Sequence, residues 1–156
     1  MAERRRTGAI EPMRKADLDE VMDIERHAFR APWPRDIFLE ELGKEWARVD
    51  VLREASDERE RIVAFVNYWV VRDEIHVLNV ATHIDARRRG HATRLLEHVL
   101  SVAQAGGIRY IALEARRSNH AAIRLYRLQG FRPVGVRPNY YADDGEDAIV
   151  MLRELP

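Results

Sequence analysis

The chain has 156 residues, with 26 basic residues, 26 acidic residues and no cysteine. This length fits one domain whose core needs no disulfide or metal support. The zero net charge argues against bulk electrostatic binding to nucleic acid or an acidic membrane, and the lack of cysteine excludes a thiol nucleophile and a thiolate metal site. Arginine supplies 24 of the basic residues, which indicates either codon usage or local phosphate binding.

The N-terminal stretch and the hydropathy pattern predict location and domain organisation. Residues 1–8 are charged and no apolar run follows them, so they are not a secretory signal. No segment approaches the roughly 20 apolar residues that span a bilayer. We expect a cytoplasmic protein in which residues 1–9 form a flexible terminus and residues 10–156 form a single domain.

The first half of the chain predicts two helices and four strands. In chain order they are a strand over 10–14, a helix from Ala16 or Asp17 to the Pro32-Trp33-Pro34 stop, a helix from Pro34 to Gly43, and strands over 46–52, 62–71 and 75–81. The apolar stripe of the first helix includes Glu25. The charged segment 54–61 and the turn at 73–74 connect the last three strands, which should be antiparallel.

The second half alternates helices and strands. The predicted elements are a helix after the turn at 87–90, a strand over 108–114, a helix over 119–129, and closing strands over 131–136 and 148–152. This order indicates a crossover unit packed on the same sheet. We predict one mixed α/β (α+β) domain, with a central, mostly antiparallel sheet of about seven strands flanked by about four helices.

A glycine turn and an arginine cluster lie where the helix after residue 90 begins. In Arg87-Arg88-Arg89-Gly90-His91-Ala92, unpartnered N–H groups of the first turn and forked arginine donors could hold a phosphate. The chain contains no P-loop and no dinucleotide fingerprint. Two interpretations are open on these residues alone, a phosphate cradle and an ordinary arginine-rich loop, and the loop is the simpler one.

Two side chains could carry acid–base chemistry. Glu114 ends a strand, at the edge where α/β sheets tend to bind ligands, and it alternates with the apolar Leu113. It could act as a general base, or it could form an ion pair with Arg116 or Arg117. Tyr126, in the helix that follows, could act as a general acid or only pack against the core.

Together these residues resemble the GNAT superfamily of acetyl-CoA-dependent N-acetyltransferases. Arg87-x-x-Gly90-x-Ala92 matches the superfamily's Q/R-x-x-G-x-G/A motif, and Asn119, Tyr126 and Gly130-Phe131 match its asparagine-capped helix. The resemblance narrows to the bacterial ribosomal-protein-alanine N-acetyltransferases of the RimI type. The shared blocks are Ala31-Pro32-Trp33, Leu78-Asn79-Val80-Ala81, residues 113–126, Asn139-Tyr140-Tyr141 and residues 146–151.

The resemblance implies roles position by position. Glu114 would be the proton acceptor and Tyr126 the proton donor. Acetyl-CoA would be the co-substrate, without a metal, and would be held by Val80, Ala81, Thr82, Arg87, Arg88, Arg89, Gly90, His91, Ala92, Thr93 and Asn119. The sequence departs from the family pattern at Thr82-His83-Ile84. The six histidines lack metal-ligand spacing, and we expect them to be surface or satisfied partly buried residues.

The resemblance also implies a substrate. We expect the acetyl group to be transferred directly from acetyl-CoA to the N-terminal amine of a small-subunit ribosomal protein whose first residue is alanine. Aromatic and acidic residues could line a peptide groove whose acidic rim attracts a cationic N-terminus. They are Trp33, Tyr140, Tyr141, Asp144, Glu146 and Asp147. Alternatively, the tyrosines pack on the sheet edge and the acids form a solvated turn.

Several alternatives about activity and assembly stay open. The chain could acetylate a small amine or other protein N-termini, or it could be a non-catalytic acyl-CoA-binding module. We expect a monomer or weak dimer that binds neither nucleic acid nor a membrane directly.

Overall fold

A computed structural model describes residues 8–55 and 60–156. Residues 1–7 of the predicted terminus, and residues 56–59 of the predicted charged connection, lie outside the described residues. The backbone carbonyl of Ala9 accepts a hydrogen bond from Arg53 N–H at 3.1 Å. This bond places the last residue of the predicted terminus against the second strand of the sheet.

The described residues form seven strands and four α-helices. The strands are β1 (Ile10–Pro12), β2 (Ala47–Ala55), β3 (Glu60–Val71), β4 (Glu74–Thr82), β5 (Tyr110–Arg116), β6 (Arg132–Arg137) and β7 (Ala148–Glu154). The helices are α1 (Leu18–Ala28), α2 (Arg35–Leu42), α3 (His91–Ala105) and α4 (His120–Leu128), with short 3-10 turns at Lys15–Asp17 and Ile84–Ala86. The predicted mixed α/β fold is confirmed. Within the described ranges, no helix combines the length and apolar character needed to cross a membrane.

Local chemistry sets the helix boundaries. Pro34 is the N-cap residue of α2 and Gly43 is its C-cap residue. Asn119 caps α4, because its Oδ1 atom accepts a hydrogen bond from Ala122 N–H at 3.1 Å. Such a side chain satisfies an N–H group that the first helical turn leaves free, so it marks where a helix begins. The boundaries predicted at these three residues are correct to within one residue.

The seven strands form one sheet in the order β1-β2-β3-β4-β5-β7-β6. Only β4 and β5 are parallel neighbours in the described sheet, and α3 makes the crossover between them. The predicted antiparallel arrangement of β2, β3 and β4 is present. The last strand, β7, lies between β5 and β6 and pairs antiparallel with both.

The sheet opens between β4 and β5. Their pairing covers only Glu74–Val77 and Tyr110–Leu113. Next to the opening, Asn67 of β3 pairs with Asn79 whereas Tyr68 pairs with Val77, which leaves Leu78 as an extra residue in β4. The C-terminal parts of β4 and β5 therefore have no pairing partner across the gap.

An apolar core lies on each face of the sheet. Leu95 and Val99 of α3 pack with Ile111 and Leu113 on one face. On the other face, residues of α1 and α2 pack against strand residues such as Phe65. Because successive strand residues point to opposite faces, Glu114 points away from the α3 core and toward the α1 and α2 side.

Candidate active site

A cavity of about 610 Å³ occupies the opening between β4 and β5. Its wall includes Leu78–Val80 of β4 and Glu114–Arg116 of β5. The helix α1 and the loop after it form one side, α4 forms another, and residues 140–143 of the loop between β6 and β7 complete the wall. The opening in the sheet therefore lets side chains from both faces reach one space.

Glu114 lies on the cavity wall with only 9% of its side chain exposed. Its Oε2 atom is 2.6 Å from His76 Nε2, and its Oε1 atom is 3.7 Å from Arg137 Nη2. The alternative partners predicted from the sequence are engaged elsewhere. Arg116 pairs with Asp143, Asp144 and Glu146, and Arg117 pairs with Asp147. The carboxylate is therefore held by a histidine that the sequence did not single out.

Tyr126 reaches the same cavity from α4. It packs against the α3-side core, and its ring lies 6.1 Å from that of Phe131. Burial raises the pKa of Tyr126 to about 12, so the phenol is protonated at neutral pH. Glu114 and Tyr126 therefore face one space from opposite faces of the sheet.

Glu25 of α1 is a second cavity carboxyl, and it is 1% exposed. Its Oε1 atom accepts a hydrogen bond from Asn79 Nδ2 at 3.0 Å, and its Oε2 atom accepts one from Trp33 N–H at 3.2 Å. Burial raises the pKa of Glu25 to about 7, although the bond from Trp33 acts in the opposite direction. The sequence signal for this residue was a carboxylate inside an apolar helical stripe.

The predicted phosphate cradle forms the turn before α3. Gly90 has a φ of +79° and precedes the helix, and Arg88 has a φ of +64°. A side chain at Gly90 would meet no atom within 4 Å, so the space beside the turn is open. Arg87, Arg88 and Arg89 are exposed there. The turn thus combines free space, a helix N-terminus and exposed guanidinium groups.

His91 differs from the other residues of this turn because its side chain is only 14% exposed. Burial lowers the pKa of the His91 imidazole, while the nearby Glu54 acts in the opposite direction. Its Nε2 atom has no hydrogen-bond partner within the described ranges. A neutral, inward-facing imidazole adds no charge to a phosphate site, so His91 is better suited to packing under the turn.

Aromatic residues form the outer part of the cavity wall. Trp33, Tyr140 and Tyr141 all lie there, and the two tyrosine rings meet edge to face at 5.1 Å. The guanidinium of Arg116 lies 4.0 Å from the centre of the Tyr141 ring. The tyrosines are thus fixed by ring and cation–π contacts and still border the cavity.

The acidic residues predicted for the groove are largely paired with groups of the chain itself. Glu146 Oε1 accepts a hydrogen bond from Ser118 N–H at 2.6 Å, and Asp147 Oδ1 accepts one from Asn139 N–H at 2.9 Å. Asp144 pairs with Arg30 at 2.8 Å as well as with Arg116. Glu146 and Asp147 therefore brace the loop and are not part of the cavity wall.

Comparison with known proteins decides the family. The acetyltransferase (GNAT) family matches residues 18–131 of the chain. The chain belongs to this family. The membership that the sequence motifs implied is therefore confirmed, and this GNAT chain is an acyltransferase.

The GNAT relatives include curated bacterial enzymes of similar length. The [ribosomal protein bS18]-alanine N-acetyltransferase of Salmonella typhimurium is 37% identical over 137 residues, which cover 86% of this chain and 89% of the relative. Its counterpart from Escherichia coli K12 is 33% identical over 144 residues, covering 91% and 94%. The crystal structure of the Escherichia coli ribosomal-protein-S18-alanine N-acetyltransferase has a TM-score of 0.84 and covers 94% of this chain and 93% of that chain.

A more distant structure shares the fold alone. Arabidopsis thaliana NAA60 in complex with acetyl-CoA has a TM-score of 0.86 at 19% sequence identity, covering 96% of this chain and all of that chain. The GNAT architecture is thus kept at low identity.

The structure brings eight of the predicted site residues of this GNAT chain to one wall. They are Trp33, Val80, Ala92, Glu114, Asn119, Tyr126, Tyr140 and Tyr141. The remaining predicted co-substrate residues lie next to this wall. They are Ala81 and Thr82 at the end of β4, and residues 87–91 and 93 in the turn and the start of α3. The functional roles of all these residues stay predictions. The sequence missed two cavity features, the buried Glu25 and the bond from His76 to Glu114.

Proposed function

We propose that the chain is an N-α-acetyltransferase that transfers acetyl from acetyl-CoA to the N-terminal alanine of a small-subunit ribosomal protein. The observation that carries the proposal is the placement of a held carboxylate, Glu114, and a protonated phenol, Tyr126, on one cavity wall. The Salmonella typhimurium and Escherichia coli relatives are [ribosomal protein bS18]-alanine N-acetyltransferases, which supports the substrate. The NAA60 structure with acetyl-CoA has the same fold and is consistent with the co-substrate.

Acetyl-CoA fits the opening between β4 and β5. Val80, Ala81 and Thr82 pair with β3 but have no β5 partner, so the backbone polar groups that point toward β5 are free to hold the pantetheine arm. The arginine side chains of the turn over Arg87–Gly90 and the backbone N–H groups of His91, Ala92 and Thr93 in the first turn of α3 would hold the phosphates. Asn119 uses its Oδ1 atom to cap α4, which leaves its amide N–H₂ group for the co-substrate.

Glu114 and Tyr126 would move the two protons of the reaction. An α-amine has a pKa of about 7.7–8.0 and is largely protonated at neutral pH, so it must lose a proton before its nitrogen bonds to the acetyl carbon. Glu114 accepts that proton, directly or through a water. When bound, acetyl-CoA supplies the acetyl group, and the carbon–sulfur bond breaks to release CoA. Tyr126 donates the proton that the leaving sulfur gains. Without cysteine the chain has no thiol to carry the acetyl group, which favours direct transfer.

The aromatic part of the wall suits the first residues of a peptide. Trp33, Tyr140 and Tyr141 would line the path of the N-terminus into the cavity. Asp143 borders the cavity and Asp144 follows it in the loop, and these partly exposed carboxylates would favour a cationic end. We propose that the protein acts in the cytoplasm as a monomer or weak dimer, without contacting nucleic acid or a membrane directly.

The test is CoA release from acetyl-CoA with short peptides that differ only in their first residue. A free alanine N-terminus should support release, and the same peptide with an acetylated N-terminus should not. Glu114→Gln and Tyr126→Phe should each lower kcat by roughly 10²–10⁴-fold, the range of general acid–base contributions. Glu97→Gln on the exposed side of α3, and Tyr110→Phe at the start of β5, are matched controls that should keep wild-type rates.

Other outcomes of this assay contradict particular parts of the proposal. Wild-type turnover in both Glu114→Gln and Tyr126→Phe would remove the catalytic assignment. Release with spermidine but with no peptide would favour a small-amine acetyltransferase. Binding of acetyl-CoA without release on any amine would favour a non-catalytic binding module.

A further inference from the structure

We propose that His76 is a positioning residue that holds the Glu114 carboxylate across the opening of the sheet. The inference rests on the proposed function, because it concerns the group assigned there as the proton acceptor. The His76 Nε2 and Glu114 Oε2 atoms are 2.6 Å apart, a distance typical of strong hydrogen bonds to a carboxylate.

The strand register explains why His76 reaches Glu114. His76 of β4 lies opposite Ala112 of β5, and strand pairing ends one residue later, at Val77 and Leu113. Glu114 is the first β5 residue beyond the paired segment, and it points to the same face as Ala112. The bond therefore runs from the segment in which β4 and β5 pair to the first β5 residue that has no partner on β4, a residue that still pairs with β7.

The remaining contacts of Glu114 make this bond its main restraint. Its other carboxylate oxygen, Oε1, faces only the guanidinium of Arg137 at 3.7 Å, and 57% of the Arg137 side chain is exposed. Such an exposed and distant ion pair contributes little to orientation. Without His76, the carboxylate would be free to rotate toward Arg137 and away from its present position.

His76 is itself supported from behind. It pairs with Trp69 of β3, whose indole Nε1–H donates to both carboxylate oxygens of Glu41 at 3.2 and 3.1 Å. Lys44 lies 5.2 Å from the centre of the Trp69 ring. The charged groups near His76 are therefore of two kinds. Glu114 contacts His76 directly and is followed by Arg137, whereas Glu41 and Lys44 contact the Trp69 side chain.

The chemical consequence concerns the position of a proton acceptor. A hydrogen bond donated by His76 to Oε2 fixes the carboxylate plane and leaves Oε1 available for the amine proton. A misplacement of about 1 Å in a reacting group can cost about 10²-fold in rate. Loss of His76 should therefore act on kcat and leave substrate binding nearly unchanged.

The experiment compares His76→Leu and His76→Gln in the full chain, with acetyl-CoA and the alanine-initial peptide. His76→Leu removes the donor and should lower kcat by roughly 10–100-fold, with both KM values within about twofold of wild type. His76→Gln keeps an N–H donor in a similar place and should restore most of kcat.

His98→Gln is the matched control. His98 Nε2 lies 2.9 Å from a carboxylate oxygen of Asp50, outside the cavity wall. It is also a histidine next to a buried carboxylate, but the variant should keep the kcat and both KM values of wild type. Circular dichroism and acetyl-CoA titration calorimetry check that every variant folds and binds.

The outcomes separate this inference from the proposed function. If His76→Leu keeps wild-type kcat while Glu114→Gln is inactive, the positioning role is wrong and the proposed function stands. If Glu114→Gln is fully active while His76→Leu is not, the base assignment fails, and the action of His76 through Glu114 fails with it. An equal loss of kcat in His76→Leu and His76→Gln would also overturn the positioning role.

Discussion

Replacing Glu25 by glutamine should make the protein more stable at alkaline pH than at acidic pH, relative to wild type. The carboxyl is 1% exposed, and burial raises its pKa from 4.5 to about 7. Between these two values the folded state binds more protons than the unfolded state. Stability contributed by the neutral carboxyl is therefore lost as pH rises toward and through 7.

The magnitude follows from the size of the pKa displacement. One pKa unit corresponds to about 1.4 kcal/mol, so the displacement of Glu25 costs the folded wild type about 3 kcal/mol above pH 8 and nothing below about pH 4. Most of this change, about 2–3 kcal/mol, lies between pH 5 and pH 8. Glutamine stays neutral throughout and its side-chain oxygen still accepts one bond, whereas the Asn79 amide must turn to accept the other.

Urea unfolding followed by tryptophan fluorescence at pH 5 and pH 8 measures the effect. The free energy of unfolding of Glu25→Gln minus that of wild type should rise by about 2–3 kcal/mol between the two pH values. Titrating groups other than Glu25 are common to both proteins and cancel in this comparison. Glu97→Gln, at an exposed position of α3, should follow wild type at both pH values. Parallel pH dependences for Glu25→Gln and wild type would refute the reasoning, since they would mean that Glu25 ionises as freely in the folded state as in the unfolded state.

Three further substitutions test the core, the turn and the loop. Phe38 is fully buried and packs edge-on against Phe65 at 5.8 Å, so Phe38→Ala should lower the free energy of unfolding by about 3–5 kcal/mol, measured in urea. Gly90→Ala places a side chain at a φ of +79° and should cost about 1 kcal/mol of stability while raising the KM for acetyl-CoA; an unchanged KM would contradict the cradle. Arg116→Gln removes the guanidinium that fixes the loop through Asp143, Asp144 and the Tyr141 ring, so the aromatic wall should lose its position, and steady-state kinetics should give a several-fold higher KM for the peptide and an unchanged KM for acetyl-CoA.

The elements of this fold were predictable because their signals are local. The extended run over 62–71 contains β-branched and aromatic residues, and it lies within β3. Pro34 marks the start of α2 because its ring restricts the backbone at its own position. These effects involve neighbours in sequence, so they can be identified without knowing the rest of the structure.

The opening of the sheet was not predictable in the same way. It depends on the short register between β4 and β5, which α3 separates in the sequence, and on the extra residue Leu78, which only the register with β3 reveals. The insertion of β7 between β5 and β6 is also non-local, since residues 131–152 alone are consistent with a simple hairpin at the edge. The cavity follows from these pairings, so its existence could be expected only from the family resemblance.

The partner of Glu114 shows why local inference failed at the site. Arg116 is two residues away on the same strand and points to the same face, so it was a natural candidate for an ion pair. The loop between β6 and β7 instead brings Asp143, Asp144 and Glu146 to Arg116. Because these three carboxylates already pair with the Arg116 guanidinium, Arg116 does not pair with Glu114. Glu114 instead forms its hydrogen bond with His76.

The pairing of Arg116 with Asp143, Asp144 and Glu146 also lowers the attraction that these carboxylates exert on a cationic peptide. The acidic rim is not a free negative field, because Arg116 and Arg30 already neutralise part of it. An incoming ammonium or guanidinium group must share these carboxylates with the arginines, so the net Coulomb gain is smaller than a count of acids indicates. Salt should therefore weaken peptide binding only modestly, and most selectivity must come from the aromatic wall and from the fit of the N-terminus at Glu114. Raising the ionic strength from 0.05 M to 0.5 M should accordingly change the peptide KM by less than about tenfold.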